Sequence, residues 1–214
     1  MLGDKLKIAY ALHAFPFLTE DYVFSEIEAL MAKGVEVLIF AGFRPKHSVN
    51  IPAPANLVSR TTYLSPFKIK LLIEAFYLCL RHSVQLKDIY ARTLFGGEER
   101  FILRIKALAH SVAGAYFALL LKDHKVTHIH ANHGYFASWI AMVAARMLGI
   151  TFSISFRGSD LLIDKRFLDL KISCCAFCFT ISNHSKRFLL EQFPGTDPEK
   201  VIVQYLGVNI DRNE

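Results

Sequence analysis

The loop after the first strand-like run of this chain lacks the G-x-G-x-x-G that lets a backbone close on a pyrophosphate. That absence excludes NAD or FAD there, and no cofactor is expected. No compact run of lysine and arginine with interleaved aromatics occurs, which excludes nucleic acid as a partner despite a net charge of +6. Cysteine is scarce. Besides Cys79 and Cys174 there is one C-x-x-C, Cys175 and Cys178, with no second pair to complete a zinc site. The segment Cys174–Ile181 reads as a buried strand, where side chains three apart face opposite ways, so the pair is expected to be structural and the compartment reducing. The N-terminus, MLGDKLKIAYALHAF, has no long apolar core before a small-residue cleavage site and so does not read as a signal peptide. The longest uncharged apolar run, between Lys106 and Lys122, falls short of the about 20 residues that a spanning helix needs. A cytoplasmic protein is expected, with peripheral contact at the inner face of a membrane as its membrane role. There is no internal repeat and no low-complexity segment.

What is present is enough for a sizeable core: 214 residues, 53% of them hydrophobic, which argues against disorder. Lys7–Leu12 is apolar and β-prone, and a loop over residues 13–20 holds Phe15, Pro16, Phe17 and Thr19. A helix follows from about Glu20 to Lys33, with Val23, Ile27 and Leu30 on one face and Gly34 ending it. Val35–Ala41 is a nearly continuous apolar strand of the buried parallel type. A short strand at Thr61–Leu64 is expected at the sheet edge. Two long helical stretches come next, Ser65 to about Arg92, opened by a Ser-Pro cap, and Glu98 to about Asp123. On the first, Ile69, Leu72, Ile73, Phe76 and Leu80 share a face. Lys68, Lys70, Arg81, His82, Arg100, Arg104 and Lys106 decorate the pair. Two readings stand: a helical hairpin covering the sheet with its charges solvated, or basic amphipathic helices lying on an anionic bilayer.

The most informative stretch is Val126–Asp160. A short strand, Val126–Ala131, breaks into Asn132-His133-Gly134. An apolar helix, Tyr135–Leu148, stops at Gly149, where a left-handed residue is expected. A second strand, Ile150–Phe156, breaks into Arg157-Gly158-Ser159-Asp160. This is a βαβ unit, and in open α/β sheets ligands gather at the carboxyl ends of the strands. His130, Asn132, His133, Arg157 and Asp160 are therefore expected along one rim. Asp160 doubles as a candidate helix cap, and Gly158 as a position needing special backbone conformation or close approach. Downstream, Leu161–Leu170 reads as helix and Ala176–Ile181 as strand. Ser182-Asn183 reads as the cap of a helix over Ser185–Gln192, and Val201–Tyr205 as a last strand closing on Gly207-Val208-Asn209. About seven strands alternate with helices: an α/β class, Rossmann-like, doubly wound and mostly parallel, with helices on both faces. Right-handed crossovers should reverse the strand order beside the first strand, where its loop meets the one after Ala131.

Four of these stretches, in order, look familiar together. FPFLTEDYVFSEIEALMAKGVEVLIF is similar to F-P-x-x-S-E-T-F-x-x-x-E-I-x-x-L-x-x-x-G-x-x-V. HIHANHGYFASWIAMVAARMLGITFSISFRGSDL is similar to H-x-H-A-H-F followed by A-x-x-x-G-I-P-F-S-x-T-x-H-G-x-D-L. CFTISNHSKRFL and KVIVQYLGVNIDR resemble T-x-S-x-x-x-x-x-x-L and K-V-x-V-I-x-x-G-V-D-x-x-x-F. The chain thus resembles the N-terminal domain of family-four glycosyltransferases, retaining enzymes of the GT-B fold. The resemblance implies that residues 1–208 form an acceptor-side Rossmann-like domain, with the helical hairpin over 65–123. Residues 209–214 would start the linker to a C-terminal nucleotide-sugar domain whose paired-glutamate motif does not follow here. The implied partners are a glycan or glycolipid acceptor and, only through that second domain, a nucleotide-sugar donor. The chain alone is expected to transfer sugar poorly, since the diphosphate leaving group has no basic cradle.

The residues that this resemblance and the strand-tip reading offer for an acceptor or sugar are Phe17, Thr19, Glu20, His130, Asn132, His133, Arg157, Gly158, Asp160, Ser182, Gly207 and Asn209. Two depart from the family pattern. Arg157 stands where the motif has histidine; it only donates and stays charged, which suits a phosphate or carboxylate. Asn209 stands where the motif has aspartate. Two other readings remain. A non-catalytic module would recognise an anionic glycolipid through Arg157 and the basic helices. A zinc hydrolase would use His128, His130 and His133, whose spacing resembles H-x-H-x-D-H with Asn132 in place of the aspartate; no metal is expected on the glycosyltransferase reading.

Overall fold

Strand β1 (Lys7–Ala14) is the hub of the molecule, and alternation along it explains why. In a strand, successive side chains leave on opposite faces. Ile8, Tyr10 and Leu12 join one apolar cluster, and Ala9 and Ala11 join the other. The computed structural model describes residues 6–17, 20–46, 53–96, 99–162 and 165–206. Its sheet has seven strands in the order β3-β2-β1-β4-β5-β6-β7. The others are β2 (Glu36–Phe43), β3 (Thr61–Tyr63), β4 (His128–Asn132), β5 (Thr151–Phe156), β6 (Phe177–Thr180) and β7 (Val201–Val203). Every neighbouring pair is parallel. The order reverses between β1 and β4, as expected, and the short β3 forms one edge.

Helices α1 (Asp21–Ala32) and α2 (Ala55–Ser59) join the strand face that carries Tyr10, through Val23, Phe24, Ile27 and Leu57. The opposite face meets α5 (Phe101–Leu121), α6 (Phe136–Leu148) and α9 (Asn183–Gln192). Gly149 stops α6 in the left-handed region, φ 66°, as the sequence predicts. Ser182 caps α9, its hydroxyl accepting from the Ser185 N–H at 3.1 Å. By length and composition α5 is long and apolar enough to cross a bilayer, a reading the shorter uncharged run concealed. In the fold its second half is buried, with Tyr116, Phe117 and Leu121 in the core.

Four expectations need correction. The stretch from Ser65 to Arg92 is not one helix: α3 (Ile69–Arg81) and α4 (Lys87–Leu94) are separated by turns over 82–86, so residues 65–123 hold three helices rather than a hairpin. The Ser-Pro pair lies ahead of α3, whose cap position is Lys68. Leu161–Leu170 also splits, into α7 (Gly158–Leu162) and α8 (Leu168–Cys174). Because α8 runs to Cys174 and β6 begins only at Phe177, Cys175 precedes the strand; its buried free thiol donates to the Ile172 carbonyl at 3.3 Å.

The fourth correction reverses a face. Ile69, Ile73, Phe76 and Leu80 of α3 are 76, 66, 57 and 58% exposed, while the small Ala75 and Cys79 are buried. The Cys79 thiol meets the Ser111 carbonyl of α5 at 3.6 Å, so the helices approach through small residues and the large apolar stripe is left outside.

Candidate functional site

Two strand ends, of β4 and β5, and two helix starts, of α1 and α7, converge where the strand order reverses. Glu20 sits at the N-cap position of α1 but makes no side-chain cap bond there. Its carboxylate instead accepts from His133 Nε2 at 2.8 Å and from the Asn132 amide at 3.4 Å. Asn132 also donates to the Tyr22 hydroxyl at 3.2 Å and accepts from the Arg157 guanidinium at 3.2 Å. That guanidinium lies over the Tyr22 ring, 4.2 Å from its centroid, a cation–π contact. On the far side of His133, Nδ1 meets the Asp160 carboxylate at 3.3 Å. The same Asp160 oxygen accepts the Arg157 backbone N–H at 2.9 Å, reaching back to the start of α7 as an N3 acid does in a capping box. Asp160 is therefore not the N-cap that the sequence suggests: it is the third residue of α7, whose helix begins at Gly158, and it is fully buried beside the imidazole.

The electrostatics follow from that sandwich. Burial pushes His133 down, but hydrogen bonds and charge from Asp160 and then Glu20 outweigh it and hold the imidazole up at about 9. His133 is therefore an imidazolium at neutral pH, donating to a carboxylate on each side. Its backbone has φ 94°, a conformation that a residue with a Cβ rarely adopts and one that tends to persist at functional sites. Gly134 follows because a side chain there would collide: a Cβ would lie 2.8 Å from the Phe156 ring and 3.2 Å from Asp160. The buried Lys171 braces the turn, donating to the carbonyls of Gly134 and Tyr135 at 2.5 and 3.2 Å. Two buried polar atoms in the cluster have no partner: Arg157 Nε, a donor, and Asp160 Oδ1, an acceptor.

The structure brings together Glu20, Asn132, His133, Arg157 and Asp160. His130 lies one pleat below, 4% exposed, with Nδ1 on the Ser153 hydroxyl at 2.8 Å and Nε2 on that of Ser155 at 3.0 Å. Burial holds it down at about 3, so it stays neutral. His128 shares Ser153 from the other side at 2.7 Å and also meets Thr151. The nitrogens of His128 and His130 thus go to β5 hydroxyls and those of His133 to carboxylates. Among the described residues no group of three or more His, Cys, Asp or Glu is placed to hold a metal ion. Ser182 is engaged as a helix cap. Gly158 needs neither special conformation nor room: its φ is not left-handed, and nothing lies within 4 Å of a Cβ built there. Phe17 is exposed in the loop, whereas Phe15 is buried edge-on to Phe24. Thr19, Gly207 and Asn209 lie outside the described residues, as does the expected linker over 209–214.

Tyr22 and Lys171 are the members the sequence reading missed. Tyr22 stands two residues after Glu20 on the same helix start; Lys171 is a charge among apolar neighbours in a short helix. Two grooves border the cluster, and Tyr22 lines one of them. A groove of about 430 Å³ includes His13, whose imidazole feels the charges of Glu20 and His133. One of about 470 Å³ includes Tyr22 and His130.

No family model matches the chain, and no curated protein matches its sequence. Solved structures do match. A glycosyltransferase from Rickettsia africae ESF-5 is 16% identical with a TM-score of 0.55, over 97% of this chain and 45% of that one. UDP-N-acetylglucosamine 2-epimerase from Rickettsia bellii is 11% identical with a TM-score of 0.53, over 94% and 45%. UDP-GlcNAc 2-epimerase from Methanocaldococcus jannaschii is 14% identical with a TM-score of 0.51, over 92% and 45%. At these identities the likeness is one of fold: a Rossmann-like α/β domain matching part of GT-B-type proteins. The chain spans about half the length of the structures it matches.

Proposed function

We propose that the chain is the acceptor-binding half of a family-four-type glycosyltransferase, working with a second half that holds a nucleotide-sugar donor, in glycan or polysaccharide assembly. The observation that carries this reading is the joining of the β1 and β4 loops, through Glu20 and His133, at the point where the strand order reverses. Ligands of open α/β sheets gather at that place. There the buried Arg157 Nε and Asp160 Oδ1 leave one donor and one acceptor without a partner. The imidazolium of His133 holds Glu20 in place, where its carboxylate accepts from an acceptor hydroxyl and orients it. Arg157, fixed on the Tyr22 ring, presents a charge that favours acceptors bearing a phosphate or carboxylate.

The matching structures include 2-epimerases as well as a glycosyltransferase, so the test separates acceptor from nucleotide-sugar. The chain is titrated by NMR with a panel of water-soluble methyl glycosides and their phosphates, and separately with UDP-GlcNAc. Shifts at Asn132, His133 and Arg157 with the glycosides, lost in Arg157→Ala, support the proposal. Binding of UDP-GlcNAc at those residues with no response to any glycoside overturns it.

A further inference from the structure

Two exposed apolar stripes meet at the mouth of the 430 Å³ groove. One is the outer face of α3, whose residues 69, 73, 76 and 80 recur at the three- and four-residue spacing that lines one side of a helix. Phe67, just ahead of it and itself exposed, lines the groove. The other runs along the start of α5, where the exposed Ile102, Ile105 and Ala109 stand on successive turns; Ala109 also lines the groove. Further in, the walls are hydrocarbon and aromatic, including Leu64, Ala113, Phe117, Phe136 and Ile140. The far end reaches His13, beside the Glu20–His133 pair.

The charge around the stripes is mostly positive. Lys68 and Lys70 flank the start of α3 and Arg81 its end, while Arg100 and Lys106 flank the start of α5; Arg104 beside them is turned to the Thr93 and Leu94 carbonyls of α4. Glu74 is the sole acid of α3, and α5 has none. An apolar face of Ile, Phe and Leu bordered by Lys and Arg matches the chemistry of an anionic bilayer surface, which takes the side chains among its acyl chains and the cations among its headgroups. A second copy of the chain would bring the same positive charges against each other.

We infer that the α3–α5 face lies on an anionic membrane and that the groove takes the hydrocarbon chain of a lipid-linked acceptor, leaving its head at the Glu20–His133–Arg157 cluster. The word acceptor rests on the function proposed above; the membrane and the chain-binding groove do not. In this arrangement the lipid need not leave the bilayer far, because the groove opens between the two stripes that rest on it.

The test uses the full chain with vesicles of phosphatidylcholine alone or mixed with phosphatidylglycerol. Flotation is expected only with the anionic lipid and should weaken as salt rises. Replacing two largely exposed side chains, Ile73→Glu with Phe76→Glu, should cut vesicle affinity about a hundredfold without changing the melting curve. A phosphatidylglycerol with a photoreactive acyl chain should label Phe67, Phe136 or Ile140. Ala109→Trp, at the exposed mouth, should remove that label while flotation persists. Absence of flotation overturns the inference, as does label confined to the outer face of α3. So does a dimer, seen by sedimentation, that the double glutamate variant dissolves. The methyl glycosides used above carry no lipid chain, so the two readings fail separately. Glycoside binding without flotation removes the membrane inference alone; flotation and groove labelling without glycoside binding leave a lipid site and remove the acceptor.

Discussion

Strand β4 carries two polar clusters, one in its middle and one at its tip, and they are built on opposite terms. In the middle, His128 and His130 alternate with the hydroxyls of Thr151, Ser153 and Ser155 on β5, at 2.7 to 3.0 Å. Each imidazole nitrogen there has a neutral partner. At the tip, His133 stands charged between two carboxylates on a left-handed backbone, and two buried polar atoms beside it are unpartnered. The ladder is closed, so it holds strands together and offers a ligand little. The tip carries strain, charge and unmet hydrogen-bonding capacity, the combination expected where something else is to bind.

The largest effect should come from breaking the tip. Asp160→Leu removes a fully buried carboxylate, leaves the Arg157 N–H unbonded and strips the His133 imidazolium of one anionic partner. Loss of one member of a buried ionic set costs about 3 kcal/mol or more, because the remaining charge stays buried. Urea unfolding of the variant measures it. A loss within about 0.5 kcal/mol, the range of ordinary surface substitutions, would show that the tip is not anchored on Asp160.

Acid and base should then tell the clusters apart. His133 is raised to about 9 in the fold, so its contribution is complete below its unfolded value of about 6.5 and fades as the pH climbs through about 9. His130 is depressed to about 3, so its neutral form supports the fold above about 6.5, and that support drains away as the pH falls toward 3. The stability gap between the native chain and His133→Gln should therefore narrow on the alkaline side. The gap to His130→Gln should narrow on the acid side. Denaturation midpoints from about pH 5 to about pH 10 measure both, and gaps that narrow on the same side would erase the distinction.

Why one cluster was legible in the sequence and the other less so follows from distance along the chain. The strand–helix–strand pattern around Gly149 and the polar residues at the ends of β4 and β5 are local, and periodicity finds them. From it came the parallel sheet, the reversal beside β1 and the grouping of Asn132, His133, Arg157 and Asp160. The turning of Glu20 away from its own helix toward His133, 113 residues later, has no local signal. Likewise no local signal distinguishes His130, sealed among serines, from His133. The face of α3 was legible as a stripe but not in its direction: Ala75 and Cys79 let the helix come close to α5, and the larger residues fell outside. An apolar stripe says that something covers it, not that the sheet does.

The smallest effect, and the finest test of the comparison, concerns the one proton on Ser153. Its hydroxyl touches Nε2 of His128 and Nδ1 of His130, but it has a single hydrogen to give. If it donates to His130, then His128 must donate to it, and both rings carry their hydrogen on Nε2. If it donates to His128, both carry it on Nδ1. Two accepting nitrogens would need a second hydrogen, and two donating ones would leave the buried Ser153 hydrogen without a partner in the ladder. The two histidines should therefore share one tautomer, which the nitrogen-15 shifts of the rings read directly; opposite tautomers would show that the ladder is not continuous. Ser153→Ala should uncouple them and cost about 2 kcal/mol, the order expected when a buried polar group loses its partner. That cost is smaller than at Asp160, because the imidazoles left behind are neutral and no charge is stranded.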